Sequence, residues 1–138
     1  MRLTHILIGL TLIGVLSTTC ALPGPSITEV LESLEASVNE GEIEAVMALF
    51  SEDAILDDPY APSPYEGLEQ IERVLYVALL TPRNHEFRDI SIDGASATFL
   101  WAAEGPALTK LWPMKVEIRR GKITYMDFYE DATTVPTD

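Results

Sequence analysis

The sequence predicts an α+β domain, with three helices first and an antiparallel sheet after them. Three observations carry that expectation. Apolar residues recur at helical spacing through the first part of the chain and stop at Pro82. The segments "HEFRDISID", "ASATFLWAAE", "ALTKLWPMKVEIRR" and "KITYMDFYED" are then rich in β-branched and aromatic residues. The turn signals "DG", "EGP" and "RG" separate those segments.

The chain begins with Arg2, an apolar run from Ile6 to Leu16, and small residues. This is the layout of a secretory signal, and the run is too short for the roughly 20 residues that cross a bilayer. Residues 1–19 are therefore read as a signal peptide and 20–25 as a linker. Cys20 is the only cysteine, so no intramolecular disulfide forms. It follows the apolar run where bacterial lipoproteins carry an acylated cysteine, and ordinary cleavage after Ala21 is the alternative. The expected location is outside the cytoplasm, secreted or periplasmic, with a lipid anchor if Cys20 is acylated.

Residues 26–131 are expected to form one domain. Ser26 and Glu29 have capping-box spacing, and Ile27, Val30, Leu31, Leu34 and Val38 share one helical face. Asn39 and Gly41 stop that helix. A second helix is expected to place Ile43, Val46, Met47 and Phe50 inward and to end at "SEDA". A short strand, "AILDD", follows. The loop "PYAPSPY" leads through Gly67 to a third helix with Leu68, Ile71, Leu75 and Ala78 at helical spacing, which Pro82 ends. Residues 132–138 are read as a flexible tail.

The 138 residues carry 22 acids against 9 Lys and Arg, for a net charge of −13. Such a balance repels nucleic-acid phosphates and anionic lipid, so both are poor partners, and membrane attachment is expected only through an acylated Cys20. The acids are dispersed, as in a solvated surface. One histidine beyond the signal and one cysteine beside it do not make a metal site, and no phosphate loop, dinucleotide fingerprint or serine elbow is present. No cofactor is expected. His85, beside Glu86 at a strand start, is read as a surface residue.

The stretch "NEGEIEAVMALFSEDAILDDP" resembles the signature of the nuclear transport factor 2-like superfamily, which includes SnoaL-like cyclases, ketosteroid isomerases and limonene epoxide hydrolases. Gly41, Glu42, Ala45, Phe50, Asp53, Ala54, Asp58 and Pro59 carry the match. "YEGLEQI" and "GKITYMDFYED" look like the third-helix start and last strand of that group. The resemblance implies a cone: a curved sheet wrapped around the helices, with an internal apolar pocket.

It also implies roles. Asp58 falls where ketosteroid isomerases keep the general base, and the competing reading is a turn-forming aspartate before Pro59. Asp57 and Asp58 are strand neighbours, so they point to opposite faces. The isomerase oxyanion donors correspond to Leu34 and Met114, neither of which can donate. The epoxide hydrolase charges would fall near Ala102 and Phe128, with Asp127 one residue out of register. Trp101, Trp112, Met114, Met126 and Phe128, with Tyr60 from the loop, are expected to line the pocket, against ordinary core packing. Tyr125, Asp127 and Tyr129 are expected on the outer sheet face, where a homodimer would cover them. Two functions stay open: an exported module binding a small apolar molecule, and an isomerase, cyclase or dehydratase using Asp58 as general acid and base.

Overall fold

A computed structural model of the protein describes residues 24–79 and 84–137. The expected signal segment and Cys20 lie outside the described residues.

Side chains and a glycine set the ends of α1, Ile27–Glu40. Ser26 Oγ accepts from Glu29 N at 3.2 Å, and Glu29 Oε2 accepts from Ser26 N at 2.6 Å. This is the expected capping box. The bond from the Ser26 backbone, then that from its hydroxyl, holds the Glu29 carboxyl below the usual carboxylate range. Gly41, at φ 70°, ends the helix, and its N–H reaches Val38 O at 3.1 Å. A left-handed residue there suits glycine, which has no Cβ to clash. Val30, Leu31, Leu34 and Val38 form the buried stripe.

The second helix departs from expectation. α2 is only Ile43–Met47, and Phe50 opens strand β1, Phe50–Asp57. The "SEDA" stretch is strand, not helix end. The periodicity placed Phe50 inward correctly, at 3% exposure. Long-range pairing overrode the local pattern, because β1 lies parallel to the last long strand with Phe50 opposite Ile123 and Leu56 opposite Met126.

The remaining elements are β2 (Tyr65–Glu66), α3 (Leu68–Leu79), β3 (Asn84–Asp93), β4 (Ser96–Glu104), β5 (Leu108–Arg119), β6 (Lys122–Phe128) and β7 (Thr133–Pro136). The sheet order is β2-β1-β6-β5-β4-β3, with β7 also on β5. Every pair is antiparallel except β1 with β6. β3 carries a bulge between Arg88 and Ser91, where Asp89 sits at φ 53°. An extra residue there bends the strand and helps curve the sheet. The expected α+β cone class is what the chain forms: a curved, unclosed sheet against N-terminal helices.

The expected tail is partly ordered. After Phe128 the chain leaves β5 for a few residues and rejoins it as β7, with Thr133 opposite Leu111 and Pro136 opposite Leu108. Thr137 Oγ1 then donates to Gly105 O at 3.1 Å. The polar "ATTVPTD" gives no hydrophobic pattern, so only an available strand edge reveals this pairing.

The registers define two ends. Asp57, Phe128, His85 and Lys110 lie toward one, called here the open end. The β5–β6 turn at Arg120 and Gly121 and the β3–β4 turn at Gly94 and Ala95 mark the far end.

Candidate functional site

Alternation puts Ala97, Phe99, Trp101 and Ala103 of β4 on the inner face, opposite Val116, Met114, Trp112 and Lys110 of β5. Inner rows therefore run across the strands. One is Phe87, Trp101 and Trp112; the next, toward the open end, is His85, Ala103 and Lys110. Phe87 anchors the aromatic cluster, with its ring centroid 4.6 Å from that of Phe99 and 5.1 Å from that of Trp101. Such tilted and edge-on contacts add roughly 0.5–1.5 kcal/mol each to the burial itself.

His85 corrects the sequence reading. It is buried, at 7% exposure, and its Nδ1 accepts from Trp101 Nε1 at 2.9 Å. An acceptor Nδ1 places the proton of a neutral imidazole on Nε2. The clue was available: His85 and Phe87 share the inner parity of β3. Its backbone is held by α1. Asn39 Oδ1 accepts from His85 N and Asn39 Nδ2 donates to His85 O, both at 2.8 Å. One helical turn earlier, Glu35 Oε2 accepts from Phe87 N at 2.5 Å. β3 is the sheet edge, so these two side chains supply the partners that a further strand would supply.

The six residues expected to line a pocket separate into three groups. Met114 and Met126 are 0% exposed and Trp101 5%, so they are packed core. A side chain with no accessible surface cannot wall a water-sized space. Trp112 and Phe128 are half-buried against that core and form the apolar rim at the open end. Lys110 Nζ stands 5.4 Å from the Trp112 ring centroid, a cation–π contact that sequence reading missed although Lys110 is two residues from Trp112 on the same face. Tyr60 is 71% exposed, outside the cone, and its hydroxyl donates to Asp131 Oδ1 at 2.8 Å. That bond raises the Tyr60 phenol above its usual range and ties the proline-rich loop to the segment after β6.

Asp57 and Asp58 part as the strand geometry requires. Asp58 is half-buried just past β1, and its Oδ1 accepts from Tyr60 N at 2.9 Å while its carbonyl accepts from Ala61 N at 2.9 Å. This is the turn-forming arrangement. Asp57 faces outward, where Tyr125 donates to its Oδ2 at 3.3 Å. Asp127 lies opposite Asp57 and Lys115 in the same outer row. Burial, then the Asp57 charge, raise the Asp127 carboxyl, against Lys115. Burial and the charges of Asp127 and Asp57 push the Tyr125 phenol up to about 12. A shallow hollow beside this row is lined by Asp53, Ile55, Glu117, Arg119, Thr124 and Tyr125, a charged wall unsuited to an apolar guest.

Chemically, the interior is sparse. Among the described residues the buried polar side chains are His85 and Thr109, and Thr109 Oγ1 lies 3.1 Å from Thr137 Oγ1. Leu34 and Met114, at the positions where an isomerase keeps its donors, are 1% and 0% exposed inside apolar packing.

The family model of the SnoaL-like domain matches residues 30–131. No curated protein matches the chain. Among solved structures, it is similar to the epoxide hydrolase/cyclase-like enzyme SalBIII, at 21% identity over 80% of this chain and 89% of that one, with a TM-score of 0.62. It is similar to an NTF2-like protein of unknown function from Cytophaga hutchinsonii, at 11% identity, covering 80% and 90% of the two chains with a TM-score of 0.62. It is also similar to a steroid delta-isomerase from Pseudomonas aeruginosa, at 18% identity, 84% and 85% coverage and a TM-score of 0.61. At such identities the likeness is one of fold.

Proposed function

This chain belongs to the SnoaL-like domain family, and from that membership we propose that it is an exported module that holds a small apolar molecule at the open end of its cone. The observation that carries the reading is the rim itself. Trp112 and Phe128 are half-buried on a packed floor of Met114, Met126 and Trp101, with Lys110 over the indole. A large, half-buried flat ring with part of its surface reachable from outside suits an apolar guest, which gains about 25 cal/mol for each Å² of apolar surface removed from water. The unbranched thioether chains of Met114 and Met126 can repack around a guest.

Acid–base catalysis by Asp58 is the second reading. Its half-buried place just past β1 favours it. Against it stand the bond from Tyr60 N to the Asp58 carboxylate and the apolar packing at Leu34 and Met114. A proton abstracted next to a carbonyl leaves an oxyanion, and losing one donor to it costs about 3 kcal/mol. Export rests on Arg2, the run Ile6 to Leu16 and Cys20 in the sequence.

Solvent extraction of the protein purified from its native host, followed by mass spectrometry, tests the binding reading. An apolar compound released in near-stoichiometric amount is the expected result. An extract identical to that from a Trp112→Ala protein would contradict it. The mass of the same preparation should show loss of about 19 to 21 residues, with or without a diacylglycerol on Cys20.

A further inference from the structure

We propose that the β5–β6 turn is a contact surface for anionic lipid, set where the N-terminal segment leaves the domain. The chain has only 9 Lys and Arg among 138 residues, and Arg119, Arg120 and Lys122 fall within one stretch of four. All three are exposed. Arg119 and Lys122 pair across the hairpin, and Arg120 and Gly121 form its two-residue turn at φ 52° and 72°. Positive φ at both positions marks a type I′ turn, where Asn and Gly are the relaxed choices. An arginine at φ 52° carries a conformational cost that Asn or Gly would not.

The location gives the charge its meaning. Gly24 and Pro25, the first described residues, pack on this turn. A Cβ on Gly121 would come within 2.5 Å of the Pro25 ring, and one on Gly24 would lie 3.6 Å from the Arg120 backbone. The apolar run Ile6 to Leu16 and Cys20 precede that point directly in sequence. An acyl group that holds Cys20 at a bilayer therefore holds the turn there too, with three residues between Cys20 and Gly24. Ile90 and Ile92, 45% and 48% exposed, lie on β3 toward the same end, with Ile92 opposite Ala97. The rim of Trp112 and Lys110 is at the opposite end of β5, so a docked domain would turn its open end away from the membrane.

Net charge pointed against anionic lipid, and locality overturns that argument. Salt at physiological strength screens charges beyond about 8 Å, so the lipid surface responds to the turn rather than to acids on the far strands. The opposing groups nearby are Asp93 at the end of β3, Asp53 in the hollow beside Arg119, and Glu117, whose carboxylate lies 3.6 Å from Arg119 in a partly exposed pair. Pairs this close to the surface contribute little and are readily exchanged. Lys122 Nζ also donates to Ala48 O, while Arg120 enters no ion pair among the described residues.

The inference rests on the export reading, through an acylated Cys20. The mature protein from its native host is mixed with vesicles of phosphatidylcholine alone or with added phosphatidylglycerol, and arginines are labelled with phenylglyoxal. Labelling of Arg119 and Arg120 relative to Arg73 on α3 should fall by roughly fivefold on the anionic vesicles only. Salt at about 1 M should restore it. The double variant Arg119→Gln, Arg120→Gln keeps the Lys122–Ala48 bond and should sediment with both vesicles equally. A chain that sediments with neither vesicle overturns this proposal and the lipid-anchor reading of Cys20 together. A chain that sediments while Arg119 and Arg120 label as on neutral lipid overturns this proposal alone. Protection by soluble polyaspartate but not by anionic vesicles would replace the membrane with an acidic protein.

Discussion

Asn39 on α1 brackets the backbone of His85 on β3, accepting from its N–H and donating to its carbonyl at 2.8 Å each. A helix side chain thus stands in for a strand on the sheet edge. Asn39→Ala should remove both of these bonds from a part-buried place, at a cost of about 2 kcal/mol. Asn39→Asp keeps the acceptor and should cost less. Urea melts decide it: a loss below about 0.5 kcal/mol for Asn39→Ala would mean that water replaces the amide freely.

The outer row should show itself in pH dependence. The Asp127 carboxyl is raised in the fold by burial and by Asp57. Its contribution is therefore fully present below the unfolded value, near 3.8, and is lost as pH rises through the higher folded value. Asp127→Asn should then stabilise the protein at neutral pH, with the gain vanishing below about pH 4. Tyr125 behaves likewise at the basic end. Its phenol is pushed from 10.0 to about 12, so stability falls as pH climbs through that interval, and Tyr125→Phe should remove the fall. Ultraviolet titration of the phenols, with melts of both variants, checks the two signs. Stabilisation by Asp127→Asn that persists at pH 2 would contradict the assignment.

If Met114 and Met126 are packed core, truncating either should open a void. Met114→Ala and Met126→Ala should each cost about 2–5 kcal/mol. A cost under about 1 kcal/mol would place them on the wall of an existing pocket instead.

The outer face also bears on assembly. Tyr129 is 46% exposed, beside half-buried Tyr125 and Asp127. A symmetric dimer through this sheet would cover them, and Tyr129→Glu should weaken it. Sedimentation of the wild type as a monomer at micromolar concentration would exclude that dimer.

Periodicity, caps and turn pairs made the helices, the four long strands and the core faces legible. Ser26, Glu29 and Gly41 act locally, so their roles can be read from spacing alone. The misreadings have one cause: a distant partner decided them. Phe50 joined a strand because β6 lies beside it, and the polar end of the chain became β7 because an edge of β5 was open. His85 looked like a surface residue because nothing nearby in sequence announced Trp101 or Asn39, and its shared inner parity with Phe87 was the one local clue. For the site, parity placed Trp112 and Phe128 on the inner face. Only packing could separate them, as rim, from Met114 and Met126 as floor. Asp58 was ambiguous between base and turn, and the bond from Tyr60 N is the feature that sequence could not supply.

The most direct test of the binding account is the affinity of the apolar dye Nile red for three proteins: wild type, Trp112→Ala and Asp58→Asn. The rim reading predicts that Trp112→Ala weakens the dye by roughly tenfold, as expected for losing an aromatic anchor. Asp58→Asn should bind as the wild type does, since that carboxylate serves its own turn. Unchanged affinity in Trp112→Ala, with a tenfold loss in Asp58→Asn, would contradict the account and return Asp58 to the site.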